Sequence, residues 1–285
     1  MKQLFLYTVL AAFFIITFSH SLYSQEDKVK WKRGEAEEQD LHLFHSTHAV
    51  NLPTAETLQK GNLEFEISHR FIPTIKSGSK DLYGFDGPVN MRIALGYGVT
   101  DKLFAALGRS NESDNVDLWL KYNAVQIPGK LLPFVIALRG GAAWNTDVSD
   151  RADGDSKNFQ YYGQLIINTM LYKRLGIGIV PSYLDNSYIL TNDRQYSFTL
   201  GTNLQYYFTP LFNVLFEWNP TVTGFRMRNN PVAFGIELET GGHFFKIILT
   251  NSIYMNPSQY LAGSLQSFNN GEWHIGFNIT RLLRL

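Results

Sequence analysis

Taken in steps of two, residues 195–208 divide into two sets. Tyr196, Phe198, Leu200, Thr202, Leu204, Tyr206 and Phe208 fall on one side, with Ser197, Thr199, Gly201, Asn203, Gln205 and Tyr207 on the other. Successive side chains of a strand point to opposite faces, so one face is apolar along its length and the other polar. The apolar face is aromatic at its ends and aliphatic in its middle, the layout of a strand crossing a bilayer between two interfacial girdles. Strands half-buried on a soluble core average about 5 to 6 residues. A tilted crossing strand needs about 9 to 11, and this segment reaches that length.

The alternation recurs from residue 62 onward. Leu63, Phe65, Ile67 and Phe71 interleave with Glu64, Glu66, Ser68 and Arg70; Met91, Ile93 and Leu95 with Asn90 and Arg92; Leu118, Leu120 and Tyr122 with Asp117, Trp119 and Lys121. Further strands are predicted at 103–109, 134–144, 161–171, 175–182, 212–218, 232–239, 245–251 and 273–280, about twelve in all, an even number as bacterial barrels require. Links after even strands are short, as at 172–174 and 241–242, whereas links after odd strands are long and polar, as at 72–87, 145–158 and 252–271. The pattern predicts an all-β fold, a transmembrane antiparallel up-and-down β-barrel with short periplasmic turns and longer extracellular loops. If Gly241 and Gly242 form a two-residue primed turn, Leu238 pairs with Phe245 toward lipid and Glu237 with Lys246 in the lumen.

An open sheet cannot sit in hydrocarbon with its edge N–H and C=O groups unpaired, so the strands must close. A charge facing lipid at mid-depth would cost about 2 to 4 kcal/mol. Glu64, Glu66, Arg70, Arg92, Asp117, Lys121, Arg139, Glu217, Glu237, Glu239 and Lys246 are therefore expected to line the lumen. Two readings follow. The charges filter small polar or charged solutes in a hydrated, porin-like channel, or they pair across strands and fill a narrow barrel that conducts little and acts as a scaffold through its loops.

Composition narrows the setting. The formal net charge is zero and cysteine is absent, which excludes electrostatic nucleic-acid binding and a disulfide scaffold. Lys2, the apolar run 4–18 and the small polar stretch 19–24 read as a signal peptide over 1–24, cut after Ser21 or Ser24. Export together with lipid-facing strands points to the outer membrane of a Gram-negative cell, with outer-membrane lipid as the surrounding partner. Residues 25–60 read as a periplasmic arm or a lumen segment, and 61–285 as the barrel. Within 41–58 alternation is weak, which suggests an element near or inside the barrel mouth, with an extra strand as the rival.

His42, His45 and His48 are spaced three apart. On a helix they would lie loosely on one side and could bind a transition metal, whereas in an extended segment they alternate faces and cannot converge; with no firm helix signal, no metal or cofactor is expected. A rim lipid hydrolase would need a serine and a histidine on neighbouring strands, and His45 next to Ser46 does not suit this. No hydrolase, zincin, P-loop or dinucleotide signature occurs, so the chain is not expected to be an enzyme.

The segments NLPTAETLQKGNLEFEISHRF (51–71) and NMRIALGYGVTDKLFAALGRS (90–110) resemble the opening of an outer-membrane β-barrel family of the domain-of-unknown-function type. The resemblance covers most of the mature chain, and ISHRF is its most specific part. It implies the same barrel and location, and it carries no catalytic residues.

Overall fold

The computed structural model describes residues 41–284. The expected signal peptide and the charged stretch 25–40 lie outside the described residues. Twelve strands follow one another around a closed antiparallel sheet: β1 (Leu63–Phe71), β2 (Val89–Gly98), β3 (Leu103–Ser110), β4 (Asn115–Ile127), β5 (Phe134–Asn145), β6 (Phe159–Leu171), β7 (Leu175–Asp185), β8 (Tyr196–Tyr207), β9 (Phe212–Trp218, resuming at Thr221–Gly224), β10 (Val232–Glu239), β11 (His243–Thr250) and β12 (His274–Leu283). Each strand pairs with its neighbours in sequence, and β1 pairs with β12, which closes the sheet. The break inside β9 has a local cause. Pro220 has no N–H to give the ladder, yet its carbonyl still accepts from Leu200 N at 3.0 Å, so the two halves run on against β8.

Facing is as the alternation predicts. Leu118, Leu120, Leu138, Phe234 and Ile247 are exposed on the outer face, where hydrocarbon covers them, and tyrosines and tryptophans such as Tyr97, Trp144 and Tyr196 stand near strand ends. The turn between β10 and β11 also follows expectation. Gly241 and Gly242 take φ of 68° and 92°, as a type I′ turn requires. Leu238 then faces Phe245 and Glu237 faces Lys246.

Two segments enter the barrel. At the long-loop end, 252–264 folds inward and is buried throughout, with Tyr260 and Leu261 fully enclosed. From the short-turn end comes the segment that precedes β1. Its entry is held by Leu41 N on Gln126 Oε1 at 2.8 Å, and its exit by Thr57 Oγ1 on Asp101 O at 2.7 Å. Between these points the chain runs in and back as a narrow hairpin. Ala49 N reaches Leu52 O at 2.8 Å, Thr54 N reaches Thr47 O at 3.0 Å, and an isolated bridge joins His48 to Pro53. Within 41–58 the described chain is largely buried among inward-facing side chains of the wall and contributes no strand to the sheet.

Candidate functional site

The inner face of the wall is two-sided, and so is the hairpin. Phe104, Val135, Ala137, Ile166, Met170 and Val180 form an apolar patch on β3 and β5 to β7, against which Leu43, Phe44, Leu52, Ala55 and Leu58 pack. Two wall glycines make room for the largest of these. A Cβ at Gly176 would lie 2.8 Å from the Phe44 ring, and one at Gly201 would lie 2.7 Å from a Leu52 methyl. Val50 sits in a second apolar cluster with Leu215, Ala233 and Ile248.

The polar half grips the hairpin backbone. Glu217 Oε2 accepts from Val50 N, Asn51 N and Leu52 N at 3.1, 2.8 and 2.8 Å, so one carboxylate oxygen caps the whole tip. Lys246 Nζ donates to Ser46 Oγ at 2.9 Å and to the carbonyls of His48 and Ala49 at 2.7 Å each. Lys121 Nζ donates to the carbonyls of Thr47 at 2.9 Å and Thr54 at 3.0 Å. Arg70 reaches Asn51 Oδ1 at 3.3 Å, and Thr47 Oγ1 donates to Glu64 Oε1 at 2.9 Å. Glu237 accepts from Ser46 Oγ at 3.1 Å while pairing with Lys246 at 3.3 Å. A buried charge without such partners is strongly destabilising, so wall and hairpin each complete the other.

The eleven charged side chains named from the sequence face inward from the wall, and they do not share one task. Glu64, Arg70, Lys121, Glu217, Glu237 and Lys246 bind the hairpin directly. Glu66 faces His48 and Arg92. Arg92 makes a fork with Asp117, the shortest contact being 2.8 Å, within the wall. Arg139 lies over the Trp119 ring at 3.9 Å, a cation–π contact. Glu239 sits at the short-turn end, where it accepts from Gly242 N at 2.9 Å and secures the turn.

The three histidines face three different carboxylates. His42 Nδ1 meets Glu56 at 2.7 Å, His45 Nδ1 lies 3.9 Å from Glu237, and His48 Nε2 lies 3.8 Å from Glu66. Sequence reasoning missed Glu56, whose Oε1 accepts from Leu43 N at 2.8 Å and Phe44 N at 2.9 Å and so folds the hairpin base. It also missed the apolar inner patch, although Leu165, Ile166 and Ile167 in succession put an apolar side chain on both faces of β6.

Among known proteins, the NanC porin aligns at 12% identity over 78% of this chain and 99% of its own, with a TM-score of 0.48. An outer membrane channel from Pseudomonas putida F1 aligns at 11% identity over 80% and 98%, with a TM-score of 0.46. The outer membrane protein Omp33 of Acinetobacter baumannii aligns at 9% identity over 79% and 99%, with a TM-score of 0.40. No curated protein matches the sequence. Residues 44–283, which span the hairpin and every strand, match a family described as a membrane bound beta barrel domain, and the chain belongs to that family, DUF5777.

Proposed function

We propose that the protein is an outer-membrane conduit for small polar or charged solutes that its own N-terminal hairpin holds closed. The observation that carries the reading is the way wall charges are used. Glu217, Lys121 and Lys246 act on hairpin N–H and C=O groups, which water or a passing solute can replace once the hairpin withdraws. Twelve strands also place the barrel between the filled eight-stranded and the open sixteen-stranded cases. Delivery by a cleaved signal over 1–24 and a belt of outer-membrane lipid belong to the same reading, which includes no catalytic step and no cofactor.

Planar-bilayer recording tests it. The native chain is expected to stay mostly closed, and Glu217→Gln combined with Gly201→Val to open steadily. The ion preference of those openings should change when Arg92 or Arg139 becomes Ala. Silence in all of these, with the barrel still folded, would overturn the proposal. It would leave the second reading, a permanently filled barrel that presents its extracellular loops to a partner. The burial of 252–264 in the opposite end favours that alternative.

A further inference from the structure

His48 is carried by the hairpin, and Glu64 and Glu66 by β1, yet their ligand atoms come together. One imidazole nitrogen and one oxygen of each carboxylate lie within 4.8 Å of one another. The hydrogen bonds around them favour one arrangement of the protons. Thr47 Oγ–H donates to Glu64, at 2.9 and 3.0 Å to its two oxygens, so that hydroxyl has no hydrogen left for His48. His48 Nδ1 lies 3.3 Å from the same oxygen and can donate to it. In the neutral ring this leaves the Nε2 lone pair bare. That nitrogen is buried, has no hydrogen-bond partner and faces Glu66 Oε2 at 3.8 Å.

A lone pair aimed at a carboxylate is repulsive unless a cation lies between them. The neighbouring cations are committed elsewhere: Lys121 to hairpin carbonyls, Lys246 to Ser46 and two carbonyls, and the short contacts of Arg92 to Asp117. We propose that His48, Glu64 and Glu66 form a binding site for a divalent transition-metal ion, with Zn²⁺ as the type, which staples the hairpin to the barrel wall. One imidazole with two carboxylates is a donor set that such ions accept. Bonds of about 2.0 to 2.2 Å put neighbouring ligand atoms about 3.4 Å apart, so the carboxylates need to close by about 1 Å. Thr47 serves as the outer partner that orients both His48 and Glu64, as metal-bound histidines ordinarily require. The site depends on the hairpin's seat in the lumen and is independent of whether solutes pass.

The test uses the full chain folded in detergent micelles, stripped with a chelator and equilibrated with Zn²⁺, with bound metal counted by elemental analysis. Co²⁺ reports the donor set through its visible absorption. The native protein is expected to retain one ion per chain. His48→Ala and the near-isosteric Glu66→Gln should each weaken binding at least about tenfold, since even outer-shell changes cost about 10- to 100-fold. Heat-modifiable gel mobility verifies that each variant is folded. Failure of the folded native chain to retain stoichiometric metal would overturn the proposal, and so would equal retention by both variants. Neither readout involves transport, so the site and the conduit reading stand or fall separately.

Discussion

Glu217→Gln isolates the grip on the hairpin tip while preserving the volume of the wall. Three N–H groups, those of residues 50–52, converge on one Glu217 oxygen at 2.8 to 3.1 Å. A hydrogen bond to a charged acceptor contributes about 1.5 to 3 kcal/mol and one to a neutral acceptor about 0.5 to 1.5 kcal/mol. The change therefore removes roughly 1 kcal/mol per bond, or about 3 kcal/mol in all. At about 1.4 kcal/mol per decade, the withdrawn state becomes about a hundredfold more populated. The chain has no cysteine, so Ala49→Cys, at the enclosed tip, supplies a single thiol as reporter. Its labelling by a membrane-impermeant maleimide tracks the withdrawn fraction when closing is fast. The rate is expected to rise about a hundredfold in Glu217→Gln. A rise of less than about threefold in a folded barrel would refute the reasoning. Equal labelling of Ala49→Cys and of a thiol on an extracellular loop in the otherwise native chain would do so more directly.

Gly201→Val attacks the same seat without touching charge. Its side chain displaces Leu52, overpacking of this kind costs about 1 to 3 kcal/mol, and Ala49→Cys labelling should accelerate about 5- to 100-fold. Lys246→Met leaves Glu237 buried without its cation; breaking a buried pair costs about 3 to 5 kcal/mol, and urea titration of the refolded barrel should show that loss. Leu120→Arg places a guanidinium on the lipid face and is expected to destabilise the barrel by about 2 to 4 kcal/mol in bilayers, with a smaller effect in detergent. Burial holds the Glu112 carboxyl, in the turn between β3 and β4, above the usual range. Folding thus favours its neutral form, so its contribution is full at low pH and is lost as pH rises through the raised value. Hydrogen exchange of 252–264, which touches this turn through Gln259, should quicken over that window and lose that dependence in Glu112→Gln.

The barrel was legible because lipid imposes a rule on every second residue. Leu118 and Leu120 must face out, Asp117 and Lys121 must face in, and a one-residue slip would expose charges to hydrocarbon. The turn at Gly241 and Gly242 then set the register of Glu237 against Lys246 without further input. The hairpin obeys no such rule. Buried over most of its length, with exposure concentrated at its base around His42, it presents no continuous solvent or lipid face, so its weak alternation is the expected signature of a buried, irregular segment. Its contacts join residues up to 228 positions apart, as with Asn278 and Val50, and no local pattern encodes such pairings.

The deeper ambiguity lies in what an inward polar residue means. Asn, Glu and Lys on the inner face satisfy the same alternation whether water, an ion or the chain's own backbone answers them. The discriminating positions are the apolar ones. Ile166, Met170 and Val180 face inward on neighbouring strands and are fully or almost fully covered. In a water-filled pore, burial of such side chains would contribute nothing, whereas against Leu43, Phe44 and Leu52 each contributes about 1.5 to 3 kcal/mol. A run such as Leu165, Ile166 and Ile167, apolar on both faces of a barrel strand, therefore argues for a protein occupant in the lumen. The Leu- and Phe-bearing stretch just before β1 is the segment positioned to supply it. The argument fails if Ile166→Asn leaves both the barrel and the labelling rate of Ala49→Cys unchanged.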